Sequence, residues 1–192
     1  MSVSILETCY SIKDTTLLFL DYKSLETFPN QVCELVNLII LYLSNNYLTT
    51  LPDSISRLVN LKILCINHNN LSMVPESIGE LLNLEELYLE FNNLTSLPDS
   101  ISRLVNLKIL SVRKNLLTIL PRSVLNIRNF LSVNESSYQL DNLSQECDFL
   151  IFVRLNTPLT NLPCNVKEIW ISDLVTDYTK IKLPFGCVIK RF

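Results

Sequence analysis

The stretch LPDSISRLVNLKIL occupies Leu51–Leu64 and recurs without a change at Leu97–Leu110. The two copies begin 46 residues apart, and a related stretch, VPESIGELLNLEEL, lies midway between them at Val74–Leu87. The chain is therefore built on a repeat of 23 residues. A repeat of this length predicts a solenoid, in which successive coils stack and share one continuous hydrophobic core.

Placing the proline at position 15 gives the repeat unit LxxLxLxxNxLxxLPxxIxxLxN. The alternation LxL predicts a short strand with one buried face, and IxxLxN predicts a 3₁₀ turn on the opposite side. A single unit leaves apolar edges bare, so both ends of the stack need caps. The pattern fits the units 15–37, 38–60, 61–83, 84–106 and 107–129.

We expect one domain over residues 1–192, because the repeats share a single core. The N-terminal cap is predicted as a helix over Ser4–Ser11, since Ile5, Cys9 and Tyr10 share a helical face with Leu6. The predicted parts are the N-terminal cap 1–14, five regular repeats 15–129, a degenerate repeat 130–152, and short irregular repeats with a C-terminal cap over 153–192.

Composition argues against several classes of function. The net charge is −3, and no basic run exceeds Arg113–Lys114 or Lys190–Arg191, so the chain lacks the basic face expected of a nucleic-acid binder. Only two glycines occur, whereas a phosphate-cradling loop needs several. No cysteine or histidine spacing matches a metal site. We therefore predict no nucleic acid, cofactor or metal.

The compartment follows from the cysteines and the first residues. MSVSILETCYSIKD has neither the basic nor the apolar region of a secretory signal, and no segment reaches the ~20 apolar residues of a membrane span. The six cysteines are therefore expected to be free thiols in a reducing cytoplasm, while three disulfides stay the alternative.

The residues that point outward from the sheet, on its concave side, are the candidate binding surface. Aromatic side chains on a rigid sheet are typical anchors for a protein partner. Plain packing across neighbouring strands is the alternative explanation for them. The predicted partner-binding residues are Phe19, Tyr22, Ile40, Tyr42, Tyr47, Ile63, Cys65, His68, Glu86, Tyr88, Glu90, Phe91, Ile109, Arg113 and Lys114.

An asparagine recurs at position 9, where the chain turns out of each strand. Its amide both donates and accepts, so stacked asparagines are predicted to satisfy backbone groups of turns that have no other partner. This predicted structural ladder consists of Asn46, Asn69, Asn92 and Asn115.

Charge is graded across the concave face. Acidic Asp21, Glu86 and Glu90 lie on the first four units, and basic Arg113 and Lys114 lie on the fifth. Such a gradient would orient a partner of opposite pattern. A solvated surface without a specific role is the alternative.

The only histidine, His68, follows Cys65 by three residues, a spacing at which a Cys–His dyad is conceivable. No glycine-supported oxyanion site accompanies the pair. The sequence favours a surface histidine beside an exposed cysteine, with no catalytic residue.

The phased units over 15–129 resemble the leucine-rich repeat family in its 23-residue intracellular form, LPxxIxxLxNL, and are similar to the repeats of Ras-suppressor and Scribble-type scaffolds. The resemblance implies an α/β solenoid, a right-handed arc with a concave parallel sheet and a 3₁₀ or irregular convex side. It also implies non-catalytic protein binding, with small GTPases or signalling proteins as candidate partners.

The shorter Leu-Pro units near Leu162–Pro163 and Leu183–Pro184 are similar to FNIP-type repeats of slime-mould and giant-virus proteins. That similarity implies an amoebal or giant-virus source, for which the compartment would be the host cytoplasm. Two functions stay open at this point. The concave face binds a protein partner, in signalling or host-cell interaction, or it is buried against itself in a homodimer.

Overall fold

The computed structural model of the protein describes residues 1–117, 130–133, 149–152, 168–171, 183 and 185–191. The described strands are β1 Ser2–Ile5, β2 Thr8–Ser11, β3 Leu17–Phe19, β4 Ile40–Tyr42, β5 Ile63–Cys65, β6 Glu86–Tyr88, β7 Ile109–Ser111, β8 Phe130–Val133, β9 Phe149–Phe152, β10 Glu168–Ile171 and β11 Val188–Arg191. The described 3₁₀ helices are η1 Asn30–Glu34, η2 Asp53–Arg57, η3 Glu76–Glu80 and η4 Asp99–Arg103.

Strands β3 to β11 form one parallel sheet in the order of the chain. Leu41 lies opposite Leu64, and Leu64 lies opposite Leu87, so each coil advances by one repeat unit. The predicted leucine-rich solenoid is confirmed. Among the described strands, each one pairs only with its neighbours in the sequence, as expected of a solenoid.

The core lies between this sheet and the 3₁₀ helices. Leu41, Leu64 and Leu87 point inward from the sheet, and Ile55 and Ile78 meet them from the opposite side; none of the five is exposed to solvent. Burying an aliphatic side chain of this size stabilises the fold by about 1.5–3 kcal/mol. Repetition at the same position therefore multiplies one favourable contact along the stack.

The proline at position 15 begins each convex segment. Pro52 has φ −76° and ψ 151°, which is extended backbone, and the 3₁₀ helix η2 starts at the next residue. Leu58 then closes the helix by donating its N–H to the Ile55 carbonyl at 3.0 Å. The predicted 3₁₀ convex side is confirmed. Proline favours this change of structure because it has no N–H to continue the strand ladder.

The N-terminal cap differs from the predicted helix over Ser4–Ser11. Strands β1 and β2 form an antiparallel hairpin in which Ser4 pairs with Cys9. Val3 and Ile5 are buried, so the buried residues of the cap recur every second position, as in a strand, rather than at helical spacing. Leu6 and Glu7 form the hairpin turn with φ 47° and 67°, a conformation usually signalled by asparagine or glycine.

The coils after strand β7 are shorter than the predicted 23 residues, both in the predicted regular unit 107–129 and in the degenerate unit 130–152. Ile109 pairs with Phe130, an advance of 21 residues, and Leu131 pairs with Leu150, an advance of 19. Strand β9 therefore starts inside the predicted unit rather than after it. The predicted apolar positions 140, 143 and 147 and the first FNIP-type unit lie outside the described residues.

Candidate functional site

Two rows of side chains run across the concave face. The first row mixes aliphatic residues with one acid, and most of its members are half-buried. The second row holds three aromatic residues, with a cysteine in its middle and a serine at its end. The first row is Leu17, Ile40, Ile63, Glu86 and Ile109, and the second is Phe19, Tyr42, Cys65, Tyr88 and Ser111.

The N-terminal part of this face is the most apolar. The Phe19 and Tyr42 rings are parallel within 3°, with centroids 5.0 Å apart. Phe19 is 60% exposed, and Tyr22 and Tyr47, from the first two repeat units, are also exposed. Such stacking fixes the rings before any partner arrives, which lowers the entropy lost on binding.

Tyr88 is the last residue of strand β6, two positions after Glu86. Its hydroxyl donates to Oε2 of Glu86 at 2.9 Å. Burial, followed by this hydrogen bond, raises the pKa of Tyr88 well above its usual range. The phenol therefore stays protonated and holds the Glu86 carboxylate in one orientation.

Cys65 is buried, which corrects the prediction of an exposed cysteine. It lies in register between Tyr42 and Tyr88, and the two larger side chains shield it. Burial, then the charges of Asp21, Glu90 and Glu86, raises the pKa of Cys65 to about 12. A thiol of that pKa is a poor nucleophile at neutral pH.

His68 does not serve Cys65. Within residues 1–117 no hydrogen bond joins the two side chains; instead the His68 ring stacks on Phe91, with centroids 4.2 Å apart and 11° between the planes. The Arg113 guanidinium lies over the Phe91 ring, with Cζ 6.0 Å from the ring centroid. The arrangement makes a three-member stack suited to contact with a partner's planar group.

Position 8 of each unit lies in the turn that leaves the strand, with a positive φ. This backbone conformation directs the carbonyl toward the preceding coil: His68 O accepts from Asn46 N at 3.2 Å, and Phe91 O accepts from Asn69 N at 3.1 Å. A left-handed conformation costs a residue about 1–2 kcal/mol, which these bonds offset. The residues are Tyr22, Asn45, His68, Phe91 and Lys114, with φ between 52° and 57°.

The asparagines at position 9 each bind backbone groups of two coils. Asn69 Oδ1 accepts from Leu48 N at 3.0 Å, and its Nδ2 donates to the carbonyls of Leu43 at 2.9 Å and Ile66 at 3.1 Å. The side chain therefore satisfies turn groups that no strand can reach. The same pattern is made by Asn46, Asn92 and Asn115.

The residues at position 7 form a polar row in which only some side chains find hydrogen-bond partners. Asp21 Oδ1 accepts from Ser44 N at 2.6 Å, and Ser44 Oγ donates to Asn67 Oδ1 at 2.6 Å. Further along, Glu90 Oε2 and Arg113 Nε are buried without a hydrogen-bond partner among the described residues. Asp21 is thus a structural acceptor, whereas Glu90 Oε2 and Arg113 Nε are buried polar atoms whose hydrogen-bonding capacity is not used among the described residues.

Two polar rows had no assigned role in the sequence analysis. At position 2, Glu85 forms ion pairs with both Lys62 and Lys108. At position 23, asparagines donate to a carbonyl of the preceding coil, as Asn60 does to Val36 at 2.9 Å. Both rows were visible as polar residues recurring at one position, but only the coil-to-coil geometry identifies their partners.

Other kinds of site find little support in the part of the chain that the structure describes. Its histidine, cysteine and acidic side chains nowhere gather in threes around a position fit for a metal ion. None of its helices has the length and apolarity that crossing a bilayer requires.

Comparison with known proteins agrees with the geometry. A leucine rich repeat profile matches residues 59–117, and a second leucine rich repeat profile matches residues 37–58. A comparison with curated protein sequences gave no match.

Among solved structures, the leucine-rich repeat ectodomain of the receptor kinase SOBIR1 from Arabidopsis thaliana is 30% identical, with a TM-score of 0.53 over 60% of this chain and 68% of that chain. A leucine-rich repeat protein of Leptospira interrogans is 26% identical, with a TM-score of 0.59 over 84% of this chain and 51% of that one. The plant peptide hormone receptor RGFR1, in complex with RGF2, is 26% identical, with a TM-score of 0.66 over 92% and 32%. The chain thus spans about half or less of the length of the last two.

Proposed function

This chain belongs to the leucine-rich repeat family, and we propose that it binds a protein partner through its concave face without catalysing a reaction. Domains of this family are generally protein-interaction modules, and their fold is typically a non-catalytic scaffold. One structural neighbour is a peptide hormone receptor in complex with RGF2, which supports the same use of the fold here.

The observation that carries the proposal is the exposed Phe19 ring stacked on the half-buried Tyr42, beside the half-buried Ile40 and Ile63. Contiguous apolar surface on a rigid sheet is costly to leave in water, and it is the usual centre of a protein interface. The stack of His68, Phe91 and Arg113 offers a polar rim to the same surface.

The charges of this face favour one orientation of the partner. Glu90 and Arg113 both keep buried polar atoms without a hydrogen bond in the described chain. A partner that places a cation near Glu90 and a carboxylate near Arg113 would complement the charges of these two side chains. Small GTPases and other signalling proteins remain the partner classes that the family resemblance suggests.

We place the protein in a reducing cytoplasm. Cys9, Cys33 and Cys65 carry free thiols, and burial raises the pKa of Cys33 as well as that of Cys65. Buried, protonated thiols are compatible with any reducing compartment. If the source is a giant virus or an amoeba, as the FNIP-type similarity suggests, that compartment is the cytoplasm of the host.

The test combines Tyr42→Ala with Tyr88→Ala. Loss of both rings should abolish quantitative capture of a partner from extract of the native cell, because the aromatic anchors are gone. The Tm should fall much less than in a core variant, since both rings are half-buried and outside the hydrophobic core.

Two controls separate binding from folding. Met73→Ala truncates an exposed apolar side chain outside the strands and should leave capture intact. Leu43→Ala opens the core and should lower the Tm strongly, by the loss of about 2–5 kcal/mol. Unchanged capture by the double tyrosine variant, or a collapse of its Tm to that of Leu43→Ala, would contradict the proposal.

A further inference from the structure

A row of aliphatic side chains lies outside the core, at the turn that follows each 3₁₀ helix. The leucine that precedes each one is buried, so these side chains project into solvent from one edge of the solenoid. We call this row the edge stripe. It consists of Val36, Val59, Leu82 and Val105, which are 37%, 50%, 53% and 76% exposed.

The edge stripe is held at a fixed spacing. Asn60 Nδ2 donates to the Val36 carbonyl at 2.9 Å, and Asn83 Nδ2 donates to the Val59 carbonyl at 2.8 Å. Asn106 does the same for Leu82 at 2.8 Å. A surface ordered in advance loses little conformational entropy when it is covered.

A row of charges accompanies the edge stripe, two residues earlier in each coil. These side chains are exposed, alternate in sign along the stack, and form no ion pair among the described residues. The alternation follows from the 46-residue duplication, because the two identical copies carry arginine and the units beside them carry glutamate. This charged row is Glu34, Arg57, Glu80 and Arg103.

Such a pattern is complementary to itself when its direction is reversed. Consider two copies packed edge to edge, with a two-fold axis perpendicular to the direction in which the coils stack. Each row then meets itself in reverse order. Val59 meets Leu82 of the partner subunit, and Val36 meets Val105 of the partner subunit, so aliphatic side chains cover one another.

The charged row agrees with the same arrangement. Arg57 faces Glu80 of the partner subunit, and Glu34 faces Arg103 of the partner subunit. The symmetry doubles each contact, so all four charged residues of each copy meet an opposite charge. Packing the coils in the same direction would instead bring like charges to the same level of the stack and lose these opposite-charge pairs.

We propose that the edge stripe and charged row bind a second copy of this chain in an antiparallel homodimer. The proposal does not rest on the function of the concave face, because no residue is shared. It leaves both concave faces open, so the dimer would present two partner-binding surfaces and gain avidity for a bivalent target. It thus locates self-association away from the face considered in the sequence analysis.

Sedimentation of the full chain from about 1 to about 200 µM tests the idea. The wild type should dimerise reversibly, and more weakly at about 1 M salt than at about 0.05 M, because exposed ion pairs are screened. Arg57→Glu should raise the dimer Kd at least about fivefold by placing two glutamates together at each of two equivalent contacts.

Two double variants of identical net charge make the test specific. Arg57→Glu with Glu80→Arg exchanges charges that face each other across the axis, so it should restore the wild-type Kd. Arg57→Glu with Glu34→Arg exchanges charges that do not, so it should remain weak or become weaker. All four positions are exposed, so circular dichroism and Tm should match the wild type.

A monomer at every concentration would overturn the proposal. So would a dimer that Arg57→Glu leaves intact, since its contact would then lie elsewhere. Equal behaviour of the two double variants would rule out the antiparallel alignment. None of these three results affects capture through the tyrosines of the concave face, so the two proposals fail separately.

Discussion

The segments Leu51–Leu64 and Leu97–Leu110 have the same sequence but not the same surroundings. In the first copy, Ser54 Oγ donates to Sγ of Cys33 in the preceding coil at 3.4 Å. In the second, the matching Ser100 is 6% exposed, and its hydroxyl is buried without a hydrogen-bond partner among the described residues. One sequence therefore builds one coil, while the coil before it decides what each side chain contacts.

Gly79 accounts for the difference between the copies. It occupies the position in the preceding coil that Cys33 occupies before the first copy. A Cβ at Gly79 would lie 2.4 Å from the Ser100 carbonyl oxygen and 2.6 Å from the Ser100 Cβ. The missing side chain lets the two turns approach closely, but it leaves Ser100 with nothing to bond.

The largest expected effect tests whether matching buried positions of the two copies contribute equally to stability. Leu64 and Leu110 are both fully buried, so Leu64→Ala and Leu110→Ala should each lower the free energy of unfolding by about 2–5 kcal/mol. Urea unfolding measures both.

Val59→Ala and Val105→Ala are the matched controls within the same two copies. Both side chains are at least half exposed, so at low protein concentration each change should stay within about 0.5 kcal/mol. Similar losses at buried and exposed positions would contradict the assigned repeat phase.

The core could be predicted from sequence because stacking makes it periodic. Leu41, Leu64 and Leu87 lie side by side because they occupy the same position in successive units. Strand, 3₁₀ turn and buried positions all follow from residues within a single 23-residue unit. The role of the asparagine at position 9 could also be predicted, because it bonds to the adjoining coil and that coil repeats the same turn.

The features that escaped prediction depend on neighbours that differ. Cys65 is buried because the coils on either side supply tyrosines, and the charged pattern around Glu85 needs a lysine from each side. The cap hairpin turns at Leu6 and Glu7, which carry no usual turn signal. Local pattern specifies the coil, whereas contacts between unlike coils set the chemistry of the concave face.

The next largest effect tests the close approach at Gly79. Gly79→Ala should lower the free energy of unfolding by about 1–3 kcal/mol, because the added methyl group meets backbone atoms of Ser100 rather than a flexible side chain. Ser56→Ala changes the same position one coil earlier and should cost only about 0.5 kcal/mol. Equal costs for the two variants would show that the coils do not approach more closely at the second copy.

A smaller effect separates the two serines themselves. Ser54→Ala removes a hydrogen bond to Cys33 and should cost about 0.5–1 kcal/mol. Ser100→Ala removes a buried hydroxyl without a partner, so it should be neutral or stabilise by up to about 1 kcal/mol. Chemical denaturation of the two variants decides this, and a larger loss at Ser100 than at Ser54 would contradict the contrast.

The smallest effect lies where the two copies contact one residue between them. Lys62 of the first copy and Lys108 of the second both bind Glu85, and these hydrogen bonds lower the pKa of Glu85 to about 2. A folded-state pKa below the unfolded value means that the stabilisation is complete above the unfolded pKa and is lost as the pH falls toward 2. The Tm difference between wild type and Glu85→Gln should therefore be positive near pH 6 and shrink as the pH falls to and through about 2, by a small amount in total because solvent screens the pairs. A Tm difference that stays constant over this range would show that the lysines of the two copies do not act on Glu85 in the folded protein.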